Sequence, residues 1–445
     1  MSDTGSIALP VRRRPLGRWL VYTVTLCALA LLAWLWWPAS PVPVAQTSTT
    51  PPEQALAAQV ERGRYLATQG NCVGCHSLPG QVPFAGGTPI STPFGTLYGP
   101  NLTPSPQGLA GWSADDFWRT LHHGQAPDGR LLSPAFPYTS TTHIHRQDSD
   151  ALFAFLQSLP PDPTHNRPGE LRWPYNTQAA LKVWRALYFT PAPQASAGPA
   201  ETKDELARGR YLVQGLGHCS ACHSPRNDWG GLRAGAGLSG GQMASGWYAP
   251  SLLDPQEAGV QGWTLTEVVA LLRDGRSGPH AANGPMATLV AQSLQHWQTA
   301  DLQAVARYLT SLPVQTEPRP RADGDQGPLN LAQGARLYEQ HCAACHGAEG
   351  QGFRLADGQV AYPPLAGHRA VTMASPANLV RMLQEGGFGL PTRQHPQPFG
   401  MPPFQQVLDD EAVAALLTYL RQAWGHQAPA VQVLDVHQLS TAGAR

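Results

Sequence analysis

Three short stretches of this chain each set two thiols and an imidazole side by side: Cys72-Val-Gly-Cys75-His76, Cys219-Ser-Ala-Cys222-His223 and Cys342-Ala-Ala-Cys345-His346. Cysteines three positions apart share one face of a helical turn. Their sulfurs can add to the two vinyl groups of one haem. The adjacent histidine then lies beneath the ring, where its imidazole takes the fifth position on iron, so C-x-x-C-H reads as c-type haem attachment. A structural zinc site needs four ligands, usually from paired knuckles, and these copies stand apart. A thioredoxin-like dithiol belongs to a βαβ context, which the surrounding sequence lacks. The sequence therefore predicts three covalently bound haem c groups. Cys72, Cys75, Cys219, Cys222, Cys342 and Cys345 attach them, and His76, His223 and His346 are the proximal iron ligands.

The sixth ligand decides what each iron can do. Methionine opposite histidine closes the iron and raises its potential, as in electron carriers. The chain has six methionines. Met286, in Gly284-Pro-Met-Ala, and Met401, in Gly400-Met-Pro-Pro, stand between haem motif and closing helix and are the expected distal ligands of the second and third irons. Their plain alternative is a packed core methionine. Met243, Met373 and Met382 are less well placed. The first repeat carries Ser133-Pro-Ala-Phe136-Pro-Tyr138 in the equivalent place, and no methionine occurs from residue 52 to 200. Imidazole is a good iron ligand, so His143 is the expected distal ligand there, ahead of His145. His122 and His123 are further alternatives, on a helix face expected to meet solvent. A five-coordinate iron is the remaining one.

The elements that must position these residues repeat with the motifs. Arg62-Gly-Arg-Tyr-Leu, Arg208-Gly-Arg-Tyr-Leu and Gly334-Ala-Arg-Leu-Tyr338 lead into the three motifs. A short helix follows each, from Trp112, Trp263 or Asn378, with Ser113, Thr264 or Ser375 as N-cap. Closing helices run from Asp150 to Leu159, Asp301 to Leu312 and Glu411 to Trp424, with apolar residues at three-to-four spacing. This order resembles the class I cytochrome c fold. The predicted class is all-α, with three such domains in tandem after one N-terminal transmembrane helix. The division is a basic N-terminus (1–18), anchor (19–37), Pro-rich linker (38–55), domain 1 (56–160), connecting segment (161–200), domain 2 (201–313), linker (314–329), domain 3 (330–425) and tail (426–445).

The 445 residues include 30 basic and 30 acidic side chains, for a formal net charge of zero. Nucleic-acid binding needs a basic excess and is excluded as a function class. The 45 Gly and 43 Pro suit small domains with long loops. Trp19 to Trp37 is apolar without a charge and, at about 1.5 Å per residue, just spans a hydrocarbon core of about 30 Å. Arg12, Arg13, Arg14 and Arg18 precede it, and no Lys or Arg follows until Arg62. The positive-inside rule then leaves the N-terminus in the cytoplasm. The run is longer than a signal-peptide core and lacks a small-x-small site, which favours a retained single-pass anchor over a cleaved export signal. Either way the haem repeats are expected on the periplasmic side of the inner membrane. Cys27, inside the run, has no assigned role.

Phe84-Ala-Gly-Gly, Thr92-Pro-Phe-Gly-Thr96, Asn101-Leu-Thr-Pro104, the stretch Gly215 to Arg226 and Gly246-Trp-Tyr-Ala-Pro250 resemble the cytochrome c subunits of membrane-bound bacterial dehydrogenases, over nearly the whole chain after the anchor. The family serves quinoprotein alcohol dehydrogenases, flavin-dependent gluconate-type dehydrogenases and molybdenum hydroxylases such as aldehyde, isoquinoline and nicotinate dehydrogenases. Ala135-Phe-Pro-Tyr138 and the stretch Tyr175 to Tyr188 are more similar to the molybdenum branch, since the alcohol branch usually has Met where Phe136 stands. The resemblance implies a separate catalytic subunit whose electrons pass through the haems to quinone or a terminal oxidase. Against this stands a haem enzyme, such as a peroxidase or a sulfur-compound oxidase, working at the non-Met iron. Carbon monoxide binding separates the two. A sensory haem protein needs one centre, not three.

Overall fold

The structure is a computed structural model that describes residues 16–37, 39–43, 53–193, 204–316, 328–356, 358, 360–396 and 400–442. A 21-residue helix, α1 (Leu16–Trp36), comes first. The first unit contains α2 (Glu53–Gln69), the haem-motif turn α3 (Cys72–His76), α4 (Ala114–His123), α5 (Tyr138–Thr141) and α6 (Arg146–Gln157). The connecting segment forms α7 (Gln178–Tyr188). In the second unit α8 (Glu205–Tyr211) passes through a π turn, Leu212–Leu216, to α9 (Ser220–His223), followed by α10 (Leu265–Asp274), α11 (Gly284–Gln292) and α12 (Thr299–Ser311). The third contains α13 (Pro328–His341), α14 (Ala343–His346), α15 (Arg369–Thr372), α16 (Ala377–Glu385), α17 (Asp410–Gln422) and α18 (Val433–Ala442). Most of the Pro-rich linkers, residues 44–52, 194–203 and 317–327, and the basic segment 1–15 lie outside the described residues.

One contact recurs in all three units. The first helix crosses the closing helix at a glycine. A Cβ on Gly63 would stand 1.9 Å from Ala151 O, on Gly209 2.0 Å from Ala304 O, and on Gly334 2.3 Å from Ala415 O. Only glycine allows that approach, which brings each haem motif under its closing helix. Capping boxes start α4 (Ser113 with Asp116) and α10 (Thr264 with Glu267), and Gly124 and Gly275 end them in left-handed conformation. Pro376, not Ser375, is the N-cap of α16, although Ser375 Oγ accepts the Ala377 N–H at 3.3 Å.

Three expectations need amendment. The fold is mainly helical but not all-α: the described residues include one three-stranded and four two-stranded antiparallel sheets. In the largest, Pro89–Thr92 pairs with Gly95–Tyr98, and Glu170–Leu171 of the connecting segment adds to the second strand. These strands are too short, and too rich in Gly and Pro, to show a two-residue alternation. The first two units do not have separate cores. One buried cluster runs from Leu66, Leu152 and Phe155 to Leu212, Leu302 and Leu309, while the third unit has its own around Leu416 and Leu417. Residues 426–442 are no bare tail, since Val431 and Val436 bury against the third core.

Among the described residues no helix is long and apolar enough to cross a membrane. The helix that occupies the expected span, α1, exposes Trp19, Leu20, Val21, Val24, Leu26 and Leu29. Lys182 of α7 donates to the carbonyls of Trp34 (3.0 Å), Leu35 and Trp37. A cation is favoured at a helix C-terminus, so this contact fixes α7 to the C-terminal end of α1.

Candidate haem-binding sites

The three motifs fold alike. Each histidine follows its second cysteine at the end of a short helical turn. Its Nδ1 points to a proline carbonyl: His76 to Pro100 O at 2.8 Å, His223 to Pro250 O at 2.7 Å, His346 to Pro363 O at 2.9 Å. A carbonyl only accepts, so Nδ1 carries the proton and Nε2 keeps its lone pair. This outer hydrogen bond orients a ring for a metal at its other nitrogen. Burial holds all three rings below the ordinary imidazole range, partly offset by the proline bonds. They are neutral at neutral pH, as a ligand must be.

A glycine completes each arrangement. Gly86, Gly240 and Gly352 donate their N–H to the carbonyls of His76, His223 and His346 at 2.8, 2.8 and 2.7 Å, all with positive φ (86°, 92° and 74°). The sequence reading missed these glycines and the prolines. A Pro-x-Leu repeat, Pro100 to Leu102, Pro250 to Leu252 and Pro363 to Leu365, was the available signal.

Burial pushes the Cys72 and Cys219 thiols up to about 12 and Cys342 to about 11, the opposite direction from the depressed thiol that favours redox dithiol chemistry. Paired sulfurs beside a neutral, oriented imidazole fit a covalently held haem. Bound there, haem supplies a one-electron iron couple.

Met286 lies on the first turn of α11, half-buried against the shared core. Met401 lies on a strand, Gly400–Met401, paired with Gly387–Phe388, and packs on the third core. Phe136 is half-buried in the first unit. His143 is exposed at the junction with the second unit, its Cβ 3.6 Å from the position of a Cβ on Gly215. His145 is the N-cap of α6, with its ring 4.8 Å from that of Tyr211. His122 is not solvent-facing as expected: it is buried and stacks on Trp118 at 4.4 Å, because the connecting segment covers that face of α4. Tyr138 supports this cover through edge contacts to Trp184 and Phe189.

Burial lowers His123 and His368 to about 4, with neighbouring histidine and arginine charges adding to the effect. The unfolded chain protonates them below about pH 6.5, so unfolding takes up protons in acid. Their contribution is fully present above about pH 6.5 and is lost as pH falls toward about 4. The melting temperature is expected to drop over that window, and less steeply in a His123→Gln, His368→Gln chain. Identical slopes for the two chains would contradict this.

A cytochrome c family model matches residues 60–160 and 331–424. The cytochrome c subunit of alcohol dehydrogenase (quinone) from Gluconobacter oxydans is 34% identical over 408 residues, 88% of this chain and 84% of that protein. The gluconate 2-dehydrogenase cytochrome c subunit of Pantoea cypripedii is 37% identical over 405 residues, 87% of this chain and 90% of that one. A nicotinate dehydrogenase subunit of Pseudomonas putida is 37% identical over 422 residues, 92% of this chain but 34% of that longer protein. The chain belongs to the family of dehydrogenase cytochrome c subunits. For such a subunit, covalently bound haem c and a role in electron transfer follow from membership. The repeated histidine–proline–glycine arrangement holds the three motif imidazoles in one orientation, with Nε2 unprotonated.

Proposed function

We propose that the chain is a membrane-anchored, triple-haem subunit that takes electrons from the catalytic subunit of a periplasmic dehydrogenase and passes them to quinone or a terminal oxidase. The observation that carries this reading is the threefold repeat of one attachment turn with one His–Pro orientation. Cys72, Cys75, Cys219, Cys222, Cys342 and Cys345 hold the haems, and His76, His223 and His346 are the proximal ligands. Met286 and Met401 are the distal ligands of the second and third irons. His143 serves the first iron, with an open iron as its alternative.

The anchor is read from the sequence, as the uncharged apolar run Trp19 to Trp37, whose length at about 1.5 Å per residue is close to a hydrocarbon core of about 30 Å; the described helices add no support to it. The catalytic partner is read as a molybdenum hydroxylase, supported by Phe136 in place of Met and the stretch Tyr175 to Tyr188. A quinoprotein or flavin partner is the second reading, favoured by the similarity to the alcohol and gluconate dehydrogenase subunits over most of their length. Purification from membranes with the native partner, followed by assays for molybdenum and pyrroloquinoline quinone, separates them. Molybdenum with a large hydroxylase subunit supports the first reading. A quinoprotein partner overturns it, and substrate oxidation by the chain alone overturns the electron-carrier role itself.

A further inference from the structure

The first two units exchange a side chain across their junction. In the first unit, Arg62 Nε donates to Asp148 Oδ1 at 2.8 Å, and the remaining oxygen, Oδ2, accepts the hydroxyl of Tyr211 from the second unit at 2.5 Å. In the second unit, Arg208 Nε donates to Asp301 Oδ1 at 2.8 Å, and Oδ2 accepts two donors from the first unit, the hydroxyl of Tyr65 and the side-chain amide of Gln69, both at 2.7 Å. Each tyrosine also accepts a backbone N–H at the start of the helix it reaches: Gln298 to Tyr65 at 2.9 Å, His145 to Tyr211 at 3.4 Å. Asp148 and Asp301 are both buried. Separating the units would leave each buried carboxylate short of a donor, which is costly in a low-dielectric interior.

The exchange flanks the two attachment turns. His218, the residue before Cys219, points Nε2 at Gly70 O, 3.2 Å away and two residues before Cys72. Ser293 Oγ donates to Thr68 O at 2.6 Å.

The third unit is a control within the same chain. The glycine crossings align the three units. One residue before the glycine stand Arg62, Arg208 and Gln333, and two after it Tyr65, Tyr211 and Arg336. Three before the facing alanine stand Asp148, Asp301 and Ala412. The third unit therefore lacks every member of the exchange. It meets the second unit differently: Asn378 accepts the Tyr248 N–H at 2.9 Å and donates to Tyr248 O at 2.8 Å, and Arg369 donates to Gly259 O at 2.9 Å.

We propose that Tyr65 and Tyr211 are positioning residues for electron transfer: their exchanged hydroxyls lock the first two units into one two-centre cassette of fixed mutual orientation, on which the third centre docks separately. This rests on the reading that both units carry haem. The test uses the full-length, haem-loaded protein and circular dichroism in the Soret band, where two haems held at a fixed angle give a couplet of opposite-signed lobes. Mass spectrometry of the unaltered chain comes first. A missing haem on either unit overturns both readings, whereas both haems present without a couplet overturns only this proposal. The Tyr65→Phe, Tyr211→Phe chain is expected to keep its haems and lose more than about half of the couplet, because two hydrogen bonds to buried carboxylates are gone. Tyr65→Phe alone is expected to give an intermediate loss and provides the measurement if the double variant does not fold. Tyr338→Phe, which removes a hydroxyl bonded to Gly347 O within the third unit, is expected to leave the couplet unchanged. An unaltered couplet in the tyrosine variants, even with a lowered melting temperature, overturns the proposal.

Discussion

A Gly86→Ala chain is expected to lose the haem of its first unit while keeping the others. Gly86 has φ +86°, a region that side chains other than glycine's rarely adopt. An added Cβ would stand 2.7 Å from Asn101 N and Gly99 O and 2.8 Å from Pro100 C. Those are backbone atoms that cannot rotate aside, and they belong to the loop that carries the Pro100 carbonyl. Strain of about 1–3 kcal/mol adds to overpacking of about 1–3 kcal/mol. The sum, about 4 kcal/mol, is a large part of an ordinary domain's 5–15 kcal/mol of stability, taken as roughly that range. The loop can yield only by drawing Pro100 O away from His76 Nδ1, which frees the ring to turn. Gly80→Ala is the comparison: φ there is +76°, but nothing lies within 4 Å of the added carbon. It carries only the strain, about 1–3 kcal/mol. Covalent haem per chain by mass spectrometry, with thermal unfolding beside it, decides the matter. Full occupancy and an unchanged melting temperature in Gly86→Ala would sink the prediction.

Met286→Leu and Met401→Leu are each expected to open one iron. Leucine keeps the volume and apolar character that a core role needs, and such swaps usually cost less than about 1.5 kcal/mol. A core methionine would therefore pass almost unnoticed. A ligand would not: each substitution should add carbon monoxide binding at one iron and lower that iron's potential by on the order of 100 mV or more, since axial ligands set haem potentials over about 0.8 V. The two effects should add, because Met286 packs on the core shared by the first two units and Met401 on the third. Phe136→Leu should change neither property, as phenylalanine offers iron no lone pair. Titration of the reduced protein with carbon monoxide, paired with potentiometry, is the measurement. Leucine variants that match the parent in both would return these methionines to a packing role.

The three C-x-x-C-H turns were legible in the sequence because their geometry is local. Cys72, Cys75 and His76 lie within five consecutive residues, so one helical turn already fixes their mutual geometry, and the same holds around His223 and His346. The capping boxes at Ser113 and Thr264 were legible for the same reason: cap and partner are three residues apart. What the sequence did not disclose depends on distance along the chain. Pro100, Pro250 and Pro363 reach their histidines only after a loop has folded back; the Pro-x-Leu repeat marks their places in the chain but not that their carbonyls will be acceptors. The burial of His122 depends on the connecting segment laid over α4, some sixty residues later. The junction of the first two units includes hydrogen bonds from Tyr65 and Tyr211 to carboxylates more than sixty positions away. Arg-Gly-Arg-Tyr-Leu marked a repeat, but not which unit each tyrosine serves. Cofactor chemistry, helical repeats and family were readable from residues close together in the chain. The orientation of the motif imidazoles and the joining of the first two cores come from folding, since hydrogen bonds and contacts across such spans exist only once packing has brought the partners to the same place.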